Sequence, residues 1–374
     1  MNVAFIASEI VADKGGIESV SYSLVTAFPS YANLYSYCGR SLNGLEDETI
    51  PNVYYSASKK GICMHLDLIK KCFRDNGRFL FDFTFASHYA LSIPCFLLKK
   101  FKGVPYGVMV HGVELQDTNG CNSISGTIYF AIKKRVRRAV IKSADVIFAN
   151  SNFTKEFFEK KYGKYNKKVV VIHPPVPFVD RTVGGEENRR SYILLSVGRL
   201  VERKGFQYVI DALKKLVIDI PELKYYIAGD GYYMTALKKR VEDNGLQDHV
   251  FLLGKISVEE KDRLFRECDF FIMPSYMKKN TEDFEGFGIV YIEANMYGKY
   301  VIATRSGGIP DAVCEGVTGT FVETQDSESI YLKLKELYDD DFYPDRSRCI
   351  DWSKKIDANV IVKQYVDVIT DVLS

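Results

Sequence analysis

Short apolar runs alternate with longer helix-like segments along this chain of 374 residues, and this alternation is what most restricts its fold. Runs such as residues 3–7 and 106–110 have the length and composition of buried parallel strands. The alternation stops at the stiff, proline-rich residues 173–177 and restarts after residue 190. The sequence therefore predicts two doubly wound α/β domains joined at a proline hinge.

The predicted domains cover residues 1–173 and 174–350, and residues 351–374 form a helix that either caps the second domain or returns to the first. Ligands bind at the carboxyl ends of strands in such sheets, so we expect the two Rossmann-like domains to face a central cleft. The predicted strands are residues 3–7, 79–85, 106–110, 146–149, 169–172, 193–197, 224–228, 250–253, 270–273, 300–303 and 320–322. The predicted helices include residues 17–28, 89–101, 128–142, 153–162 and 352–373.

Composition indicates an ordinary globular protein of the cytoplasm. Apolar residues make up 47% of the chain and charged residues 26%. No apolar run reaches the roughly 18–20 residues that span a bilayer. Because residues 3–7 already have the pattern of a strand, a signal peptide is not expected. The eight cysteines are scattered and form no Cys-x-x-Cys pair, so neither a zinc site nor a disulfide framework is expected.

Positive charge is concentrated in the first domain. Residues 1–174 carry 23 Lys and Arg against 14 Asp and Glu, whereas the remaining residues carry 27 against 34. Such clusters are typical either of contact with an anionic membrane surface or of a solvated helix face, and no nucleic-acid-binding motif accompanies them. The clustered residues are Lys133, Lys134, Arg135, Arg137, Arg138, Lys164, Lys167 and Lys168.

The most informative motif is Glu-Gly-Phe-Gly-Ile-Val-Tyr-Ile-Glu at residues 285–293. If it opens a helix, the carboxylates of Glu285 and Glu293 stand about 80° apart around the helix axis. Gly286 and Gly288 allow a ligand to approach the backbone, and first-turn N–H groups suit a diphosphate. Carboxylates accept hydrogen bonds from sugar hydroxyls, so the motif indicates a nucleotide-sugar site. A solvated helix is the alternative.

A second motif places cations at the end of a strand. Gly198 forms the turn after residues 193–197, and Arg199 and Lys204 follow it. An arginine fork and a lysine together suit a diphosphate, although strand-end arginines also pair with surface acids. A metal ion is not expected, because the only Asp-x-Asp sequence is the acidic run at residues 339–341.

Two further features lie at strand ends of the first domain. Gly15 and Gly16 expose backbone N–H groups to an anion between the first strand and the first helix. They do not form the Gly-x-Gly-x-x-Gly fingerprint, so a nicotinamide cofactor is not expected, nor is any other cofactor. His111, followed by Gly112, ends residues 106–110 and is either structural or a ligand contact.

Taken together, the order and spacing of these motifs resemble glycosyltransferase family 4 (GT4), retaining enzymes with the GT-B architecture. The resemblance implies that Arg199 and Lys204 neutralise a departing nucleoside diphosphate. It implies that Glu285 contacts the donor sugar, that Glu293 binds the ribose, and that His111 lies near the reactive carbon. The amides of Phe287, Gly288 and Ile289 would meet the distal phosphate, and Lys255 and Ile256 the base. The C-terminal helix would return to the first domain.

The expected function is transfer of a sugar from a UDP- or GDP-sugar to a glycan acceptor, with retention of configuration and without metal. A lipid-linked intermediate of bacterial surface polysaccharide synthesis at the inner membrane face is the expected acceptor. A nucleotide-sugar epimerase or hydrolase, and a non-catalytic nucleotide-sugar-binding module, are the alternatives.

Overall fold

The structure is a computed structural model of the chain. It describes residues 1–11, 16–40, 49–58, 61–112, 124–163, 168–178, 192–278, 281 and 283–374, with the backbone alone for 124–131 and 133. Two compact units are present, one formed by Met1–Pro177 with Ile356–Ser374 and the other by Phe178–Lys355.

The first unit is built on a parallel sheet of seven strands among its described residues. The order is β3-β2-β1-β4-β5-β6-β7, so the winding reverses between β1 and β4. Ring contacts join strands within its core, such as Phe5 with Phe85 at 4.6 Å between centroids. The strands are β1 (Asn2–Ala7), β2 (Asn33–Cys38), β3 (Val53–Tyr55), β4 (Phe83–Ala86), β5 (Tyr106–Val110), β6 (Val146–Ala149) and β7 (Lys168–Val171).

Helices connect these strands as the parallel order requires. Ser151 caps the last of them by accepting a hydrogen bond from the Thr154 amide. The helices are α1 (Gly16–Ala27), α2 (Gly61–Phe79), α3 (Ile93–Lys102), α4 (Ile124–Ser143) and α5 (Asn152–Tyr162).

The second unit repeats the plan with six described parallel strands in the order β10-β9-β8-β11-β12-β13. Its strands are β8 (Ile193–Val197), β9 (Lys224–Ala228), β10 (Val250–Gly254), β11 (Phe270–Ile272), β12 (Tyr300–Thr304) and β13 (Gly319–Val322). Its helices are α6 (Phe206–Asp219), α7 (Met234–Asp243), α8 (Val258–Glu267), α9 (Ile289–Met296), α10 (Ile309–Ala312), α11 (Ser327–Asp339) and α12 (Arg346–Lys354). The prediction of two doubly wound parallel-sheet domains is confirmed.

The C-terminal segment differs from the single predicted helix over residues 352–373. α12 ends at Lys354, and a new helix, α13 (Ala358–Leu373), follows. Its N-cap is Asp357, whose side chain accepts a hydrogen bond from the Asn359 amide. α13 belongs to the first unit, where the Tyr365 ring lies 4.9 Å from that of Phe148. The chain therefore returns to the first unit within a few residues of the predicted boundary.

The predicted strand over residues 79–85 is wrong at its start. Phe79 is the last residue of α2, and β4 begins only at Phe83. The eleven predicted strands end within one residue of their predicted carboxyl ends, where functional residues are expected, whereas β2 and β3 were not predicted.

Candidate functional site

The loop between β8 and α6 brings two cationic side chains into the interior of the second unit. It contains a 3-10 turn over Glu202–Lys204, followed by Gly205 with φ 80°. A Cβ at Gly205 would lie 2.2 Å from the carbonyl oxygen of Pro274, so this position requires glycine. The side chain of Arg203 is 6% exposed and that of Lys204 9%.

Both cations contact the carboxylate of Glu285. Lys204 Nζ lies 2.7 Å from Glu285 Oε2, and Arg203 Nη1 lies 2.8 Å from the same oxygen. Arg203 Nε also forms an ion pair with Asp283 Oδ1 at 2.8 Å. Within the described part of the chain, no group donates a hydrogen bond to Glu285 Oε1, and the side chain is 15% exposed. Glu285 is thus neutralised through one oxygen while the other can still accept hydrogen bonds.

The ion pairs control the protonation of this cluster. Burial by itself would raise the pKa of the Glu285 carboxyl, but Lys204 and Arg203 outweigh burial and lower that pKa to about 2. Burial lowers the pKa of the Lys204 ammonium; Glu285 opposes this shift, and the charges of Arg203 and Arg199 add to it. The pKa of Arg203 is raised, because the charges of Glu285 and Asp283 outweigh burial. Glu285 is therefore a carboxylate at neutral pH.

Arg199 differs from its two cationic neighbours. Its side chain is exposed, and it forms no hydrogen bond or ion pair with any described residue. Its charge nevertheless acts on the Lys204 ammonium. Arg199 is therefore a cation beside the cluster that is available to an anionic ligand.

The predicted placement of Glu285 on a helix is wrong. α9 begins at Ile289, and Gly288 at φ 97° precedes it as the N-cap, so Glu285 and Gly286 lie in the preceding loop. The 80° angle between Glu285 and Glu293 therefore does not apply. A Cβ at Gly288 would meet the Tyr291 ring at 2.4 Å, and glycine is required there.

Backbone amides without a described partner lie at the start of α9, where Gly288 is buried and Ile289 is partly exposed. The amides of Gly288 and Ile289 donate to no acceptor among the described residues, whereas the Phe287 side chain is buried. Glu293 lies on this helix and forms an ion pair with Lys261 of α8 at 2.9 Å. Each of those two side chains is 27% exposed.

Neighbouring loops are joined to this site by backbone hydrogen bonds. The Leu200 amide donates to Asp230 and the Gly229 amide donates to Gly254, which ties together the ends of β8, β9 and β10. The Gly308 amide donates to the carbonyl oxygen of Glu285 at 2.8 Å. The structure therefore brings Gly198, Arg199, Lys204, Glu285 and the loop containing Gly308 to one edge of the sheet.

The predicted base contacts lie at the end of β10. Lys255 follows Gly254 and is 84% exposed at its side chain, with Nζ 3.9 Å from Asp230 Oδ2. Ile256 is partly exposed. Both residues can be reached by a ligand.

In the first unit, His111 lies directly after β5 and is 7% exposed. Its Nε2 lies 2.9 Å from the carbonyl oxygen of Ser87, so Nε2 carries the hydrogen and donates. Gly16 begins α1, whereas Gly15 lies outside the described residues.

The predicted basic surface is only partly a surface. Arg137 is 7% exposed, and its guanidinium lies over the rings of Tyr89 and Tyr162, at 5.6 and 5.9 Å from their centroids. Its inclusion among surface cations is therefore wrong.

The other predicted surface cations differ in their surroundings. Lys168 is paired with Asp371 at 3.0 Å. Lys134, Arg135 and Arg138 are exposed, whereas Lys164, Lys167 and the Lys133 side chain lie outside the described residues.

Arg203 is the site residue that sequence reasoning missed. It stands between two other charged residues in Glu202-Arg203-Lys204, which is typical of a solvated turn. Its burial depends on Glu285, 82 residues further along the chain.

The described residues form neither a metal-binding cluster nor a membrane-spanning helix. Among the described residues no group of three or more His, Cys, Asp or Glu side chains could hold a metal ion. In the same part of the chain, every helix is too short or too polar to cross a bilayer.

Two family models together match nearly the whole chain. The one described as Glycosyltransferase Family 4 matches residues 14–178, and the one described as Glycosyl transferases group 1 matches residues 183–356. The chain belongs to glycosyltransferase family 4. The resemblance inferred from the motifs is confirmed.

A curated relative in this family is the GDP-mannose-dependent alpha-(1-6)-phosphatidylinositol monomannoside mannosyltransferase of Mycolicibacterium smegmatis. It is 31% identical over 220 residues, which cover 56% of this chain and 57% of that protein. This chain matches less than two thirds of the length of the first curated relatives, at 57%, 64% and 56%.

Solved structures share the fold along almost the whole chain. Anabaena Alr3699/HepE in complex with UDP has a TM-score of 0.77 at 19% identity, covering 99% of this chain and 100% of that one. Sucrose-phosphate synthase from Thermosynechococcus elongatus has a TM-score of 0.73 at 16% identity, covering 99% and 98%. The fold of this GT4 protein is therefore GT-B.

Proposed function

We propose that this GT4 protein transfers a sugar from a nucleotide-diphosphate sugar to a glycan acceptor. The observation that carries this proposal is the Lys204–Glu285–Arg203 cluster, in which two cations bind one carboxylate oxygen and leave the other open. The open carboxylate oxygen can accept hydrogen bonds from sugar hydroxyls, and the neighbouring cations can bind a diphosphate. This combination matches a nucleotide-diphosphate sugar, in which the sugar adjoins the diphosphate.

The cations have a direct role in the proposed reaction. Arg199 and Lys204 offset the negative charge that develops on the diphosphate as the glycosyl–oxygen bond breaks. At an effective dielectric near 20, one cation about 4 Å from a phosphate oxygen contributes about 4 kcal/mol. If that interaction forms mainly in the transition state, it accelerates the reaction roughly a thousandfold.

We propose that the sugar keeps its anomeric configuration and that no metal ion is needed. Glu285 is a poor candidate for a nucleophile, because two cations already stabilise its charge and lower the pKa of its carboxyl. In front-face attack, the departing phosphate accepts the proton of the acceptor hydroxyl. Retention then follows without a covalent enzyme intermediate. Full activity in EDTA would support the metal-free part of the proposal.

The remaining site residues receive roles in donor binding. We assign Glu293 to the ribose, the Gly288 and Ile289 amides to the distal phosphate, and Lys255 with Ile256 to the base. The free amides and the exposure of Lys255 support these assignments. His111 is assigned to the donor sugar near its reactive carbon.

The donor is proposed to be a UDP- or GDP-sugar and the acceptor a lipid-linked glycan of bacterial surface polysaccharide synthesis. Support comes from the Mycolicibacterium relative, named for GDP-mannose and a phosphatidylinositol monomannoside, and from the UDP complex of Alr3699/HepE. A thermal-shift panel of UDP-glucose, GDP-mannose, ADP-glucose and TDP-glucose tests the donor, because a bound ligand raises the melting temperature.

Transfer is then tested by mass spectrometry of products formed from the stabilising donor and lipid-linked acceptors. Donor turnover that is fast and independent of any acceptor would instead indicate the epimerase or hydrolase. Donor binding without any turnover would indicate a binding module.

We further propose that the first unit docks on the cytoplasmic face of the membrane. Exposed Lys134, Arg135 and Arg138 share α4 with two exposed apolar side chains, Ile132 at 59% and Val136 at 43%. Basic and apolar residues together favour binding to an anionic bilayer, at about 1 kcal/mol per cation.

Replacing Lys134, Arg135 and Arg138 with alanine should weaken co-sedimentation with vesicles that contain phosphatidylglycerol by about 100-fold or more. The charge-matched control replaces Lys214, Lys238 and Lys239, which are exposed in the second unit. Equal losses in both triple variants would contradict docking through α4.

A further inference from the structure

Arg203 makes more contacts with the site than the cations predicted from the sequence. Its guanidinium reaches Asp283 through Nε and Glu285 through Nη1, each at 2.8 Å. Its carbonyl oxygen accepts a hydrogen bond from the Tyr276 amide at 2.9 Å. One buried residue therefore joins the β8–α6 loop to the segment that carries Glu285.

The proposed reaction makes competing demands on Lys204. In this structure Lys204 binds Glu285, but in the reaction it must also meet the diphosphate of the donor. A buried carboxylate that loses its partners is strongly destabilised, and the carboxylate must keep its position to contact the sugar. Glu285 therefore needs a cation that does not engage the donor.

Arg203 fits this requirement better than any other described residue. Its side chain is 6% exposed and already held by two carboxylates, which limits its access to a ligand. The backbone of Glu285 is anchored separately, through the Gly308 amide. The carboxylate itself, however, accepts hydrogen bonds only from Lys204 and Arg203 among the described side chains.

We propose that Arg203 is a positioning residue that keeps the Glu285 carboxylate ionised and oriented toward the donor sugar while Lys204 moves to the diphosphate. This inference rests on the proposed function. It assigns sugar recognition to the Arg203–Glu285 pair and diphosphate recognition to Lys204 and Arg199.

The experiment compares Arg203→Met with wild type, using the nucleotide sugar that the thermal-shift panel identifies and the corresponding nucleoside diphosphate. Calorimetry should show a nucleoside diphosphate Kd within about threefold of wild type, because Arg203 does not engage the diphosphate. The kcat/KM for the nucleotide sugar should fall about 100-fold, because the acid that contacts the sugar is misplaced.

A pH profile separates positioning from general loss of structure. The charged groups that face Glu285 are Lys204 and Arg203, with the Tyr291 phenol beside them and Arg199 acting through Lys204. Removing one cation raises the pKa of Glu285, so the acidic limb of log kcat/KM should move upward by about one pH unit. Arg203→Lys restores a positive charge, and its acidic limb should return toward that of wild type.

Arg240→Met is the matched control. Arg240 forms an ion pair with both carboxylate oxygens of Asp211 in the same unit, outside the proposed site. The Arg240→Met variant should keep the wild-type pH profile, the wild-type Kd for the nucleoside diphosphate and the wild-type kcat/KM for the nucleotide sugar. Melting temperatures of all three variants show whether each one folds. If Arg203→Met does not fold, the same ligand measurements and pH profile are made on Arg203→Lys.

The outcomes are distinguishable. An Arg203→Met protein whose affinity for the nucleoside diphosphate and whose kcat/KM for the nucleotide sugar fall by the same factor, with an unmoved acidic limb, overturns the positioning role and leaves the proposed function standing. A wild-type protein that turns over no nucleotide sugar overturns both.

Discussion

Glu285 and Glu293 come from one nine-residue motif, yet the structure places them in different electrostatic surroundings. Glu285 lies in a loop, 15% exposed, with two buried cations on one of its oxygens. Glu293 lies on α9, 27% exposed, with the single cation Lys261, which is itself 27% exposed. Ion pairs gain strength as water is excluded, so the ion pairs of Glu285 are stronger than that of Glu293 although both acids belong to one motif.

This difference divides the proposed work between the two acids. Glu285 is strongly held and can contact a sugar from a fixed position, which suits a group near the reacting bond. Glu293 is weakly held and can exchange Lys261 for ribose hydroxyls at little cost.

Glu285→Gln should give the largest loss of both activity and stability. Its amide keeps the shape but leaves Lys204 and Arg203 without a counter-charge, and breaking a buried pair costs about 3–5 kcal/mol. We expect a matching loss in the free energy of unfolding by urea, and a fall in kcat/KM of at least about 100-fold. A variant as stable as wild type would contradict the claim that the buried ion pairs of Glu285 stabilise the fold.

The stability of wild type should depend on the ionisation of Glu285. Its pKa is about 2 in the folded protein and about 4.3 when unfolded, so its contribution is present above the unfolded value. That contribution of about 3 kcal/mol should be lost as pH falls from about 5 toward 2. Urea unfolding at several pH values should show the gap between wild type and Glu285→Gln closing over that range; a constant gap would contradict the assignment.

Glu293→Gln should mainly weaken donor binding. Loss of charged hydrogen bonds to the ribose is expected to cost about 1.5–3 kcal/mol, a rise in donor Kd of roughly 10- to 100-fold. Its stability should stay within about 1 kcal/mol of wild type, because the Lys261 pair is partly exposed. Calorimetry with a nucleotide and its 2′-deoxy analogue checks the contact, since the variant should lose most of the preference for the ribose form.

Lys261→Met should have the smallest effect. An ion pair of this exposure contributes about 0–1 kcal/mol to stability, and Glu293 remains available to the ribose. We expect an unfolding free energy within about 1 kcal/mol of wild type in urea titrations. A loss comparable to that of Glu285→Gln would show that the two acids are not distinguished by burial.

The sequence predicts the parts of the fold that follow from local pattern. Buried parallel strands are continuous apolar runs, so β5, β6, β8 and β9 have the bounds that the pattern indicates. By contrast, β2 mixes Asn, Tyr and Ser with apolar residues, and α2 carries Asn76 and Gly77, which have low helix propensity. Those elements depend on tertiary packing and were not predicted.

The sequence predicts which charged residues gather at the candidate site, but not their geometry. Gly198, Arg199 and Lys204 follow a recognisable strand, and the structure places them at the edge of the sheet with Glu285. Spacing alone put Glu285 on a helix, because Gly286 and Gly288 do not indicate where a helix begins when a left-handed N-cap is possible. Arg203 was missed and Arg137 was wrongly placed on the surface, because burial of a cation is decided by distant partners.

The most direct test of the account is the binding of a nucleotide sugar and of its nucleoside diphosphate to Lys204→Met and Glu285→Gln, measured by calorimetry. We predict that Lys204→Met binds both ligands at least about tenfold more weakly, because it lacks a cation for the diphosphate. Glu285→Gln should lose only the additional affinity that the sugar supplies. Two variants that lose affinity for both ligands to the same extent, or that bind both as wild type does, would contradict it.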